Sequence, residues 1–143
     1  MGATTFTARA SGTTVGEAFR YAVEQAYYWH GHGGYTGTIA EKNEYVEYEL
    51  PPLPAITDDD VPAWMSDIVQ RYSNALGSDP AYDTEDSEYP VYRQAARDRT
   101  FLVERLGADT VETIAMTYQS KWGAAVAIRV GEQEWAFMGY ASC

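Results

Sequence analysis

Residues 4–27 read TTFTARASGTTVGEAFRYAVEQAY, and this stretch decides the fold class. In its first part Thr4, Phe6, Ala8 and Ala10 share one face while Thr5, Thr7 and Arg9 share the other. A period of two is that of a strand, and Ser11-Gly12 ends it. Thr14-Val15-Gly16-Glu17 then has the spacing of a capping box, with a threonine hydroxyl covering a free amide and Glu17 reaching back. From there Val15, Ala18, Phe19, Ala22, Val23, Ala26 and Tyr27 recur at helical spacing, opposite Glu17, Arg20, Glu24 and Gln25. A strand followed at once by an amphipathic helix of this length predicts an α+β chain, with the helix lying on a sheet.

Working outward, the helix stops near His30, because Gly31, Gly33 and Gly34 follow. Residues 35–41 and 45–50 read as paired strands around Lys42-Asn43-Glu44, ended by Pro51-Pro52-Leu53-Pro54. Val61, Trp64, Met65, Ile68, Val69, Tyr72 and Leu76 predict a helix that stops at Gly77, and Val91 to Leu106 predicts another, closed by Gly107. An acidic loop, residues 78–90, separates the two. Alternation of Ile114, Met116 and Tyr118 predicts a further strand, followed by a break at Lys121-Trp122-Gly123. Val126, Ile128 and Val130 predict the next strand, with a type II′ turn at Gly131-Glu132 leading into Trp135, Phe137 and Gly139. The expected whole is a single α+β domain spanning residues 1–143. It has an antiparallel sheet of five to six strands packed by the long N-terminal helix, and residues 51–107 form a helical and acidic-loop insertion.

At 143 residues the chain can bury a core without covalent staples. Acidic residues outnumber basic ones 21 to 10, for a net charge of −11, which argues against general DNA or RNA binding, where cations must replace counterions along phosphates. The same acidity permits mimicry of a nucleic acid, with Asp58-Asp59-Asp60 and the 79–88 loop presenting the charge to a basic protein partner. No apolar run is long enough to cross a bilayer, and the first residues have neither the basic nor the apolar region of a signal peptide. Cys143 stands alone, so no internal disulfide forms. The expectation is a cytoplasmic protein without membrane partners.

Twelve tyrosines and four tryptophans set the chain apart, since such side chains suit stacking and interfaces. The stretch from His30 to Lys42 concentrates candidate contacts: His32, Tyr35, Thr36, Thr38 and Lys42 stand among four glycines that allow close backbone approach. Lys42 and Lys121 are the only lysines. Lys121-Trp122-Gly123 supplies a cation, a stacking face and an open backbone in three residues, with Trp122 capping the core at a strand end as the alternative. Arg129 and Arg9 are further candidate phosphate contacts or else part of a solvated strand face. The glycine stretch closes a helix instead of opening one, so the dipole does not favour an anion there, and it fits neither a Walker loop nor a dinucleotide fingerprint. A glycine-rich helix stop is the alternative reading. His30 and His32 lack the further ligands and spacing of a zinc site, and no serine has a nucleophile-elbow setting. The expectation is therefore a binder with no metal, no cofactor and no catalytic residues.

The segment Gly31-His32-Gly33-Gly34-Tyr35-Thr36-Gly37-Thr38-Ile39-Ala40-Glu41-Lys42, together with Lys121-Trp122-Gly123-Ala124-Ala125 and Phe137-Met138-Gly139-Tyr140-Ala141-Ser142-Cys143, resembles a signature of small proteins from actinobacterial phages. Compact phage proteins of this kind look like immune-evasion sponges, which sequester the nucleotide signals of defences such as CBASS or Thoeris without cleaving them. The resemblance implies a homo-oligomer in the host bacterial cytoplasm, with pockets where subunits meet. The glycine–threonine stretch with His32, Tyr35, Thr36, Thr38 and Lys42 would line the pocket together with Lys121 and Trp122, Arg129 being the phosphate contact that the strand reading adds. The ligand would be a cyclic oligonucleotide or an ADP-ribose derivative.

Overall fold

A computed structural model describes residues 2–143. The chain forms two compact units, one combining the chain up to Glu49 with Met116–Cys143, the other running over Leu50–Ala115.

The first unit is built on a four-stranded sheet. Strand β1 (Ala3–Ser11) pairs antiparallel with β4 (Glu134–Ser142) over nine residues in unbroken register, from Ala3 opposite Ser142 to Ser11 opposite Glu134. Strand β3 (Ala125–Gly131) pairs antiparallel with the other side of β4, with a register shift between Arg129 and Gly131. Strand β2 (Tyr45–Glu47) lies parallel to β3, and the order across the sheet is β1-β4-β3-β2. The α+β class stands, but the sheet has four strands and is mixed, not five or six and wholly antiparallel.

Helix α1 (Val15–His30) forms where its periodicity puts it. The Thr14 hydroxyl accepts from the Glu17 N–H at 3.2 Å, and the Glu17 carboxylate reaches back to the Thr13 N–H at 2.8 Å. Gly31 ends the helix at φ +79°, its N–H bonded to the Tyr27 carbonyl. Ala18, Ala22 and Ala26 are buried with Phe6, Ala10, Trp135, Phe137 and Ala141. Phe19 sits edge-on to Phe137 at 5.5 Å and tilted on Tyr45 at 5.0 Å, locking the helix over β4 and the start of β2. The small alanines let helix and sheet approach closely.

Three local readings change. Residues 35–41 form no strand. Gly34, Tyr35 and Gly37 have positive φ, which a ladder does not allow, and Ile39–Glu41 is a single turn of 3-10 helix capped by the Thr38 hydroxyl. The partner of the 45–50 segment is therefore β3, and the Tyr48 N–H extends that pairing to the Ala127 carbonyl. Residues 113–118 belong to helix α4 (Ala108–Gln119), not to a strand. The buried Val111, Ile114, Ala115 and Tyr118 lie at i, i+3, i+4 and i+7, a helical stripe, while Met116 is 66% exposed. The hairpin between β3 and β4 turns at residues 132–133, and Gly131 itself is the last residue of β3.

In the second unit the predicted 61–76 helix is split. A 3-10 turn over Ala63–Ser66 precedes α2 (Ile68–Leu76), and the Asp67 carboxylate caps α2 by accepting the Val69 N–H at 2.9 Å. Trp64, expected inward, is 64% exposed as a result. Helix α3 (Pro90–Leu106) starts on a proline in its first turn and ends at Gly107. Between α2 and α3 lies a buried ion pair, with the Arg71 guanidinium donating to both Asp98 oxygens at 3.0 and 2.8 Å and Gln94 adding a third bond. No described helix is long and apolar enough to cross a membrane.

Candidate functional site

The glycine-rich stretch after α1 folds onto its own carboxylate. Glu41 accepts the Tyr35 N–H at 3.0 Å, the Thr36 N–H at 3.2 Å and the Thr36 hydroxyl at 2.7 Å. The Thr36 and Thr38 hydroxyls lie 2.8 Å apart. Burial by itself would raise the Glu41 carboxyl; the bonds from Thr36 and Tyr35 outweigh it, and the pKa falls below the ordinary carboxylate value. The amides and hydroxyls that would cradle a phosphate thus already hold an anion supplied by the chain. The Thr-x-x-x-x-Glu spacing from Thr36 to Glu41 was the only trace of this in the sequence.

Lys42 is buried, 3% exposed, and points away from solvent. Its ammonium donates to the Ser120 carbonyl at 2.8 Å and the Gly123 carbonyl at 3.1 Å. Burial lowers its pKa from the ordinary lysine value to about 8. Lys42 therefore ties the glycine stretch to the Lys121-Trp122 turn as a clasp instead of presenting its charge to a ligand.

The turn it holds is open. Trp122 is 68% exposed, and the Lys121 ammonium sits 5.1 Å from the centre of its indole. Lys121 also approaches the Gly2 carbonyl at 3.5 Å, Cys143 donates to that same carbonyl, and Gly37 donates to the Ser142 carbonyl at 2.8 Å. Gly37 requires its positive φ, +70°, and a β-carbon there would lie 2.6 Å from the Thr4 methyl. The glycine stretch, the beginning of β1, the end of β4 and the Lys121-Trp122 turn thus gather at one end of the sheet.

The remaining residues divide. Tyr35 is half exposed, at φ +55°, on the rim of the Glu41 loop. His32 stacks flat on Tyr27, 4.3 Å between ring centres and 8° from parallel, packed against α1. Arg129 lies near the far end of β3 from Trp122; its guanidinium folds over Trp135 at 5.4 Å and donates to the Gly131 and Glu132 carbonyls, bracing the hairpin. Tertiary structure thus joins Lys121, Trp122 and the Lys42 clasp beside the 35–38 loop, and leaves Arg129 out.

The acidic segments are partly internal as well. Asp58 accepts from Arg93 at 2.7 Å and Arg97 at 3.0 Å, and Arg93 foremost holds its pKa down at about 2. Asp79 and Asp83 cap the backbone of their own loop, through the Ala81 and Asp79 amides respectively, whereas Glu85, Asp86 and Glu88 are exposed.

Compared with models of protein families, with curated proteins and with solved structures, the chain shows no match.

Proposed function

We propose that this protein binds and sequesters a small nucleotide without transforming it, and that the ligand docks on Trp122 and Lys121. The observation that supports this reading is the exposed indole with its own cation 5.1 Å away, on a turn fixed from beneath by Lys42. A base would stack on the free face of Trp122, a contact worth about 1–3 kcal/mol. Lys121 would neutralise a phosphate, and Tyr35 on the adjoining loop would supply a second ring. Lys42, Thr36 and Thr38 act here through the shape of the platform and not through contact with the ligand. A cyclic oligonucleotide or an ADP-ribose derivative supplies both the base and the phosphate that the platform calls for, in keeping with the sponge-like resemblance of the sequence.

Tryptophan fluorescence, titrated with a panel of cyclic di- and trinucleotides and ADP-ribose derivatives, tests the reading. The expected result is quenching by one of them, lost in Trp122→Ala (followed by calorimetry) and in Lys121→Glu with the circular dichroism of each unchanged. Wild-type affinity in Lys121→Glu would refute the assignment. Recovery of intact ligand after heat denaturation supports sequestration, and recovery of a cleaved product would make the protein an enzyme.

A second reading rests on the exposed Glu85, Asp86 and Glu88 beside Tyr82, which is 78% exposed. That loop would capture a basic protein partner. Neutralising the three acids abolishes such capture and spares nucleotide binding.

A further inference from the structure

Strand β1 is an edge of the sheet, with β4 as its only strand neighbour among the described residues. Two hydrogen bonds fix which of its backbone groups β4 uses. Gly12 donates to the Gln133 carbonyl at 3.1 Å, and Cys143 donates to the Gly2 carbonyl at 3.3 Å. Both belong to the register that pairs Ser11 with Glu134 and Ala3 with Ser142. In an antiparallel ladder bonded pairs recur at every second residue, so the even-numbered residues from Gly2 to Gly12 bond to β4. Ala3, Thr5, Thr7, Arg9 and Ser11 therefore turn their N–H and C=O groups outward.

Natural edges are blunted by proline, by lysine, by bulges or by shortness. Strand β1 is nine residues long, in unbroken register, without proline or lysine, and Arg9 is its one charged residue. It is also free of acidic residues, the first in the chain being Glu17, while the chain as a whole carries −11. Two copies repel each other least where they meet through such a segment.

We propose that β1 pairs antiparallel with β1 of a second copy about a twofold axis at Thr7, joining the two four-stranded sheets into one. In that register Thr7 faces Thr7 of the partner subunit, Thr5 faces Arg9 of the partner subunit, and Ala3 faces Ser11 of the partner subunit. The outward backbone groups of the two strands then face one another along the ladder, threonine meets threonine across the axis, and no like charges oppose one another. The pairing has a further consequence, which rests on the nucleotide reading above. A hollow of about 440 Å³ lined by Arg9, Ser11, Tyr21 and Glu134 lies at the Ser11 end of the strand. Antiparallel pairing sets the hollow of one copy next to Gly2, and hence next to Lys121, of the other. The open platform would thereby gain a tyrosine ring from the second copy.

Light scattering on the intact chain, with Thr7→Pro as the variant, tests the pairing. The Thr7 N–H points outward, so proline there removes a bond to the partner and none to β4. The wild type is expected at twice the chain mass, and Thr7→Pro at the chain mass with unchanged circular dichroism. A monomeric wild type, or a Thr7→Pro variant that folds and remains a dimer, overturns the proposal. Amide exchange on the wild type gives a reading that needs no variant. The Thr5 and Thr7 amides should be protected at high concentration and released on dilution, and fast exchange at every concentration overturns it. Neither readout involves a ligand, so failure of nucleotides to bind counts against the proposed function alone.

Discussion

Lys42 Nζ lies 2.8 Å from the carbonyl oxygen of Ser120, 78 residues further along the chain. With its second bond to Gly123, this charged side chain ties the helix-stop loop to the tryptophan turn. It sets the geometry of the candidate site while staying out of a ligand's reach.

Replacing Lys42 by methionine leaves the Ser120 and Gly123 carbonyls without their donor, a loss of about 1–3 kcal/mol of stability in urea unfolding at neutral pH. The pH dependence has a definite sign. The folded-state pKa of about 8 lies below the ordinary lysine value, so between the two the unfolded chain binds more protons and stability rises with pH. The neutral amine still carries two N–H donors for its two carbonyls. The advantage of the wild type over Lys42→Met should therefore widen above pH 8; a gap that narrows there would show that the amine is not buried.

Glu41 is the internal anion of the 35–38 loop. Glu41→Ala removes three hydrogen bonds to a charged acceptor and costs about 1–3 kcal/mol. Amide exchange at Tyr35 and Thr36 should accelerate in this variant. Because the folded-state pKa is lowered, the contribution is complete above the ordinary carboxylate range and disappears as pH falls through the folded value. The melting temperature of Glu41→Gln should accordingly fall less than that of the wild type on acidification.

Gly37 has φ +70° and its missing β-carbon would meet the Thr4 methyl. Gly37→Ala is expected to cost at least about 1–2 kcal/mol from the left-handed backbone alone. The companion change Thr4→Ser, which deletes that methyl, should recover the steric part only. Full recovery in thermal melts would show that the backbone carries no strain there.

Asp98 and Arg71 are 4% and 6% exposed at their side chains. Asp98→Ala strands a buried guanidinium and is expected to cost about 3–5 kcal/mol in denaturant unfolding. The double change Arg71→Met with Asp98→Leu should be far milder, since no charge then remains buried. Equal losses in the single and double variants would mean that packing, not charge, holds α2 to α3.

What could be read in the chain itself was whatever a local pattern enforces. The β1 alternation, the Thr14 cap, the alanine face of α1 and the stops at Gly31, Gly77 and Gly107 depend on neighbours within a turn or two, so sequence suffices for them. The Lys121-Trp122-Gly123 break was legible in the same way, but that Trp122 is exposed and does not cap the core is a result of the fold. Patterns short enough to satisfy two periods were not decidable: residues 113–118 alternate like a strand, yet Val111 to Tyr118 packs as a helix because burial selects that stripe. The use of Glu41 to fill its own loop is local but follows no periodic pattern, whereas the parallel pairing of β2 and the burial of Lys42 depend on groups brought together across the fold. Only tertiary structure decides such partners, because a charge chooses between solvent, a ligand and a distant carbonyl according to which of them the packed backbone leaves within about 3 Å.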